Sequence, residues 1–243
     1  MPWQRLFPSL GSRPARAAWL MLDSPASFRL SSAGMDVGVV DLQHGLSKTA
    51  CIDGFASIRE AGATPFARLA SPNDPALVGR ALDMGARGLI FPMVNSAEDA
   101  RELVKHSKFP PRGTRSCGLR WGEAFLDRED ANDATVVLAM IETPDALTNV
   151  EEIVATEGLD GVFVGPIDLE LSLFGGEKKP KQLEEAIARV RSVTHGQGKH
   201  VGIYSGTAAE ARARAEQGFD LVTPFTDISA LVSGAAAGLE AMK

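Results

Sequence analysis

The chain has 243 residues, 44% hydrophobic and 23% charged, a balance that suits one folded domain spanning 1–243 and excludes an extended disordered chain. Its 25 Lys and Arg against 31 Asp and Glu leave a formal charge of −6 with no dense basic stripe, so a small molecule is expected as partner, with no nucleic acid and no membrane. Cys51 and Cys117 form neither a CxxC pair nor a disulfide framework, and Arg and Pro interrupt every apolar run of residues 1–22, so a cytoplasmic location without export is expected.

In chain order, short β-rich runs alternate with helix-length segments. The runs are AAWLML (17–22), VGVVDLQ (37–43), TPFARLA (64–70), GLIFPMV (88–94), TVVLAMI (135–141), GVFVGPI (161–167), HVGIYS (200–205) and LVTPF (221–225). Between them lie amphipathic stretches such as SAEDARELVKHS, TPDALTNVEEIVATEG, KQLEEAIARVRSV and TAAEARARAEQG, with apolar residues at helical spacing. Continuous apolar strands alternating with helices predict a parallel sheet buried on both faces, and eight such units predict a (β/α)₈ barrel. Gly62, Gly85, Gly158 and Gly218 stand just before a strand, where a left-handed helix cap costs glycine least. The one long irregular stretch, from about Pro110 to Asp133, reads as a functional or interfacial insertion.

In a parallel barrel the reactive groups gather at the C-terminal ends of the strands. The candidates there are Asp41 and His44 after the second strand, Arg68 at the end of the third, Glu142 after the fifth and Asp168 after the sixth. Each alone also fits a structural role: a carboxylate after a strand often caps a helix, the Gly-Pro of VGPIDL is ordinary turn chemistry, and His44 would serve as a cap. Acids at one level on two adjacent strands are harder to explain so, because unpaired carboxylates repel unless a cation lies between them. One Glu and one Asp with positions left for water and substrate suit Mg²⁺ or Mn²⁺. Asp41 and His44 are close enough in VVDLQHG for the carboxylate to fix the imidazole tautomer. Arg68 in an apolar strand calls for an anion or oxyanion. Of the other histidines, His106 and His195 fall on predicted helices and His200 lies at the opposite end of the barrel. No lysine falls within a predicted strand, which disfavours a Schiff-base route, and GxSxG, HExxH and GxGxxG are absent.

These residues resemble the HpcH/HpaI-type class II pyruvate aldolases, typified by 4-hydroxy-2-oxoheptanedioate and 2-keto-3-deoxy-L-rhamnonate aldolases. The carriers are VVDLQHG (39–45), PFARLASPND (65–74), ALDMGARGLIFPMVNSAEDAREL (81–103), FPPRGTRS (109–116), MIETPDALTNVEEI (140–153) and GLDGVFVGPIDLELSLFG (158–175), in order over nearly the whole chain. The resemblance implies a divalent metal (Mg²⁺, Mn²⁺ or Co²⁺) on Glu142 and Asp168, with Arg68 at the keto or enolate oxygen. It implies that Asp41 and His44 move the aldol proton, and that the turn of Gly165, Pro166, Ile167 and Asp168 receives the pyruvate carboxylate. Trp19 is similar to the family residue near the aldehyde. A homohexamer, a trimer of dimers with an exchanged last helix, is likewise implied, with the 110–125 segment reaching a neighbour's site. Gln43 stands where relatives usually carry Glu, and Met140 where many carry Gln.

The implied reaction is reversible aldol cleavage of 4-hydroxy-2-oxo acids to pyruvate or hydroxypyruvate and an aldehyde, with oxaloacetate decarboxylation on the side. The alternatives are a citrate-lyase or malyl-CoA-lyase-like enzyme of the same superfamily and a phosphate-binding barrel isomerase. Against the isomerase, SGTAAE and TPFTDIS after the last two strands lack a glycine-rich cradle.

Overall fold

Each of the eight runs read as a strand forms one. The structure is a computed structural model describing residues 2–7, 10–11, 13–47, 52–118 and 127–243. Helix α1 (Pro2–Leu6) leads into β1 (Ala15–Leu20), α2 (Pro25–Ser32), β2 (Val37–Asp41), α3 (Ile52–Glu60), β3 (Thr64–Arg68), α4 (Pro75–Asp83), β4 (Gly88–Phe91) and α5 (Ala97–Ser107). After α6 (Arg128–Asp133) come β5 (Val136–Ile141), α7 (Pro144–Thr148), α8 (Val150–Ala155), β6 (Gly161–Val164), α9 (Pro166–Phe174), α10 (Pro180–Gly196), β7 (His200–Tyr204), α11 (Ala208–Glu216), β8 (Leu221–Thr226) and α12 (Asp227–Glu240). Every neighbouring pair of strands is parallel and β8 closes onto β1, so the sheet is a (β/α)₈ barrel.

The strands are buried on both faces because two apolar layers sandwich them. One layer, with Val40, Ala67, Leu89, Ala139, Val162 and Ile203, faces the helices. The other, with Ala17, Val39, Phe66, Ile90, Leu138 and Phe163, fills the barrel. Space inside is shared between large and small residues: a Cβ on Gly88 would lie 2.3 Å from the Phe66 ring. At the N-terminal end α1 forms a plug the sequence did not announce, with Trp3 stacked on His200 at 4.7 Å and tilted against Phe7 at 4.8 Å.

The four glycines expected as left-handed caps have φ of +85° (Gly62), +110° (Gly85), +80° (Gly158) and +93° (Gly218). Helix starts follow their side chains too. Ser24, Asp74, Ser96, Thr143, Thr207 and Thr226 each accept an N–H from the first turn of the helix they precede. Two segments differ from expectation. TPDALTNVEEIVATEG forms two helices, broken at Asn149, whose side chain donates to the Asn95 carbonyl at 2.8 Å. GVFVGPI ends as a strand at Val164, because Pro166 opens α9. Among the described residues no helix is long and apolar enough to cross a membrane.

Candidate active site

Alternation along the strands sends every second side chain into the barrel, and at the C-terminal mouth that series supplies Trp19, Asp41, Arg68, Met140 and Tyr204. They line a cavity of about 240 Å³ together with Met21, His44 and the Gly165–Asp168 turn. The structure therefore brings Trp19, Asp41, His44, Arg68, Gly165, Pro166, Ile167 and Asp168 together, with Glu142 buried immediately behind Gly165.

Asp41 and Arg68 face each other in register across β2 and β3. Arg68 Nε donates to Oδ1 of Asp41 at 2.9 Å and Nη2 to Oδ2 at 2.5 Å. Trp19 Nε1 adds a bond to Oδ2 at 3.1 Å, and the main-chain N–H groups of Gln43 and His44 each reach Oδ1 at 3.0 Å. Burial alone would raise the Asp41 carboxyl, but the Arg68 guanidinium, aided by the other donors, holds it below the usual carboxylate range. The expected pairing of Asp41 with the His44 imidazole needs correction here: the carboxylate takes the His44 backbone N–H, and its side-chain donors are Arg68 and Trp19. The His44 ring stands exposed at the pocket. The neighbouring Gln43 has a buried Oε1 with no hydrogen-bond partner among the described residues.

Glu142 is 2% exposed, and its Oε1 accepts the Met93 N–H at 2.7 Å. Met93 can aim that N–H because its φ is +56°, a conformation that costs a non-glycine residue roughly 1 kcal/mol or more and that clusters at functional sites. Asn95 braces the turn, with Nδ2 to the Met93 carbonyl at 3.3 Å and a side-chain bond from Thr143. The other oxygen, Oε2, faces Gly165, where a Cβ would lie only 2.7 Å away. Burial pushes the Glu142 carboxyl above the usual range; the Met93 N–H opposes this, the Asp168 charge adds to it and Arg68 opposes it. Asp168 itself is exposed, three residues into α9.

The α9 N-terminus differs from its neighbours. Thr143, Thr207 and Thr226 cap α7, α11 and α12 with their own side chains, whereas Gly165 offers α9 none, so its first N–H groups stay open at the pocket. For a cation, the donor set is two carboxylates of hard oxygen, one with a glycine cleared beside it, and among the described residues no cluster of three His, Cys, Asp or Glu exists to make a closed protein cage.

Sequence reasoning passed over Met93, Asn95 and Tyr204. Tyr204 ends β7 and was open to the same strand-end rule; Met93 acts through its main chain, which no side-chain pattern marks. The lysines of the lower barrel are structural: Lys108 donates to the Asn132 and Thr135 carbonyls, and Lys199 to that of Thr156. Of the 110–125 segment, residues 119–125 lie outside the described residues. Before them, Arg115 packs on its own chain, 2.6 Å from Asp83 and 4.3 Å over the Phe109 ring.

The model of the HpcH/HpaI aldolase/citrate lyase family matches residues 17–228, which hold every one of these groups. The chain belongs to that family. It is a carbon–carbon lyase of the aldolase type. It is similar to the hydroxypyruvate/pyruvate aldolase of Rhizorhabdus wittichii, 39% identical over 92% of each chain. It is 32% identical to the 4-hydroxy-2-oxo-heptane-1,7-dioate aldolase of Salmonella typhi, over 93% of this chain and 89% of the relative. A solved family member from Burkholderia cenocepacia superposes with a TM-score of 0.89 at 32% identity, covering 98% of this chain and 97% of that one.

Proposed function

We propose that the protein is a divalent-metal-dependent aldolase that joins and splits pyruvate or hydroxypyruvate and an aldehyde. The observation that carries this reading is Glu142: a buried carboxylate pushed upward, beside a second acid, with one oxygen kept clear by Gly165. A cation held by Glu142 and Asp168 would relieve that arrangement, and when bound it supplies Lewis-acid polarisation of the 2-oxo group. The named relatives act on substrates of this class.

The chain's own residues have separable tasks. The open N–H groups of Ile167 and Asp168 hold the substrate carboxylate at the positive end of α9. Arg68, fixed by Asp41 through Nε and Nη2, directs its remaining nitrogen and its charge at the oxygen that becomes negative in the enolate. His44 takes the proton of the 4-hydroxyl in cleavage and returns it in condensation. Trp19, Met21 and Met140 keep the reacting carbons among apolar surface. The Thr caps on α11 and α12 occupy the helix starts that a phosphate-binding isomerase leaves open, which disfavours that alternative.

Self-assembly is part of the proposal. Helix α12 leaves Leu231, Val232 and Leu239 62%, 64% and 68% exposed, and burying such a face against a second copy supports the oligomer that the family resemblance implies.

The test is a donor and aldehyde screen with enzyme stripped by a chelator and resupplied with Mg²⁺, Mn²⁺ or Co²⁺. Aldol activity that vanishes on stripping and returns with metal is the expected result. Full activity in the stripped enzyme overturns the metal assignment.

A further inference from the structure

Most polar groups that line the pocket are already committed. Trp19 Nε1 and two of the three Arg68 nitrogens are bound to Asp41, and Glu142 Oε1 holds the Met93 N–H. The reading above assigns the α9 N-terminus to the substrate carboxylate and His44 to the aldol proton. The hydroxyl of Tyr204 is left over. It has no hydrogen-bond partner among the described residues and stands on a wall that Trp19, Met21 and Met140 otherwise make apolar.

The ring is held firmly. Tyr204 is half-buried and meets Trp19 edge-on at 5.4 Å and 80°. Past it the chain turns through Gly206 at φ +73°, where a Cβ would meet the Tyr204 ring at 3.5 Å and both the phenolic oxygen and Glu210 Oε2 at 3.8 Å, so the turn packs against the ring without bonding its hydroxyl. Burial pushes the phenol above its ordinary value, so it stays a donor at neutral pH; the Arg68 charge opposes the shift and the Asp41 and Glu210 charges add to it. A phenylalanine would make the same edge-on contact, so packing alone leaves the oxygen unexplained.

The position decides which part of a substrate meets it. Strand β7 lies beside β6, which leads into α9, and β3, which carries Arg68, lies across the closed barrel from β7. A three-carbon 2-oxo acid held by its carboxylate at α9 and its keto oxygen at Arg68 has only C3 left to present to Tyr204.

We propose that the Tyr204 hydroxyl is a specificity-determining contact that hydrogen-bonds the C3 hydroxyl of a hydroxylated donor such as hydroxypyruvate. It rests on the aldolase reading given above. A substrate hydroxyl that gains this bond should separate hydroxypyruvate from pyruvate by about 10–100-fold in kcat/KM.

The experiment compares wild type with Tyr204→Phe on pyruvate and hydroxypyruvate with one aldehyde, and on acetaldehyde and glycolaldehyde with pyruvate. The expected result is a 10–100-fold fall for hydroxypyruvate, with pyruvate changed less than about threefold and the aldehyde preference unmoved. An unchanged donor ratio, or a change confined to the aldehyde pair, overturns it. Binding is read separately. Because the chain has a single tyrosine, 3-fluorotyrosine labelling yields one ¹⁹F resonance, which in metal-loaded enzyme should move with hydroxypyruvate more than with pyruvate. Equal shifts count against the contact. If neither donor is turned over, the aldolase reading fails on its own, and the resonance still decides whether Tyr204 meets the hydroxyl.

Discussion

Arg68 and Asp41 sit opposite each other at the ends of adjacent strands as a salt bridge whose side chains are 7% and 0% exposed, and Arg68 is the main charge acting on Asp41. Asp41 therefore acts on the reaction through Arg68. Removing one member of a buried pair leaves an uncompensated charge, at a typical cost of about 3–5 kcal/mol. Asp41→Asn should lose roughly 3 kcal/mol in urea unfolding, and Asp41→Asn with Arg68→Met should recover part of it. A single variant within about 1 kcal/mol of wild type would show that the pair matters less than its burial suggests.

Gly165 separates metal binding from folding. A Cβ there would meet Glu142 Oε2 at 2.7 Å, and both the Glu142 Cβ and the Met140 Cε at 3.1 Å. Gly165→Ala should keep the far-ultraviolet circular dichroism of wild type while its Mn²⁺ affinity, measured by calorimetry, falls at least about tenfold, a loss of about 1.4 kcal/mol. Unaltered affinity would place the cation away from Glu142.

Much of this could be read from the sequence, because the strongest signal, apolar runs alternating with helices, is also what fixes the barrel. Once eight strands are counted, the strand-end rule collects Asp41, His44, Arg68 and Asp168 around one cavity, where the structure has them. The error over Asp41 is instructive. Three residues along the chain, His44 looked like its partner, yet inside a barrel the cross-strand neighbour in register is nearer than the chain neighbour, and Arg68 took the carboxylate. Met93 was illegible for another reason: its contribution is an N–H aimed by a left-handed backbone, and composition and periodicity carry no trace of a single φ.

Away from the site, Asp36 offers a test of the electrostatics at the barrel's N-terminal end. Burial would raise its carboxyl, but bonds from Arg13 and from the side chain and N–H of Arg16 bring it down to about 2. A lowered carboxylate stabilises the fold above its unfolded value, near 3.9, and that contribution disappears as pH falls through the folded value. With both arginines about half exposed, Asp36→Asn should cost about 1–2 kcal/mol at pH 7 after screening. The gap between variant and wild type should close between about pH 4 and pH 2. A gap independent of pH would assign the effect to packing.

Helix α12 gives the assembly a direct readout. Leu231→Asp with Val232→Asp puts two charges on its exposed apolar face and should lower the mass measured by light scattering while the barrel stays folded. An unchanged mass would mean that copies meet elsewhere or not at all.

His44 is the sharpest case, because its proposed task belongs to one half of the chemistry. Retro-aldol cleavage must take a proton from the 4-hydroxyl; decarboxylation of oxaloacetate has no such proton, yet passes through the same enolate and uses the same carboxylate pocket and Arg68. The exposed ring is at the pocket, and since its N–H to Asp41 comes from the main chain, His44→Ala keeps that bond. The variant should lose cleavage by roughly 10²–10⁴-fold, the range of a general base, while retaining most decarboxylation. A misfolded protein would lose both together, so the comparison carries its own control. If the two activities fall in parallel in folded, metal-loaded enzyme, His44 is helping to bind the donor or the cation, and the aldol proton must travel by another group.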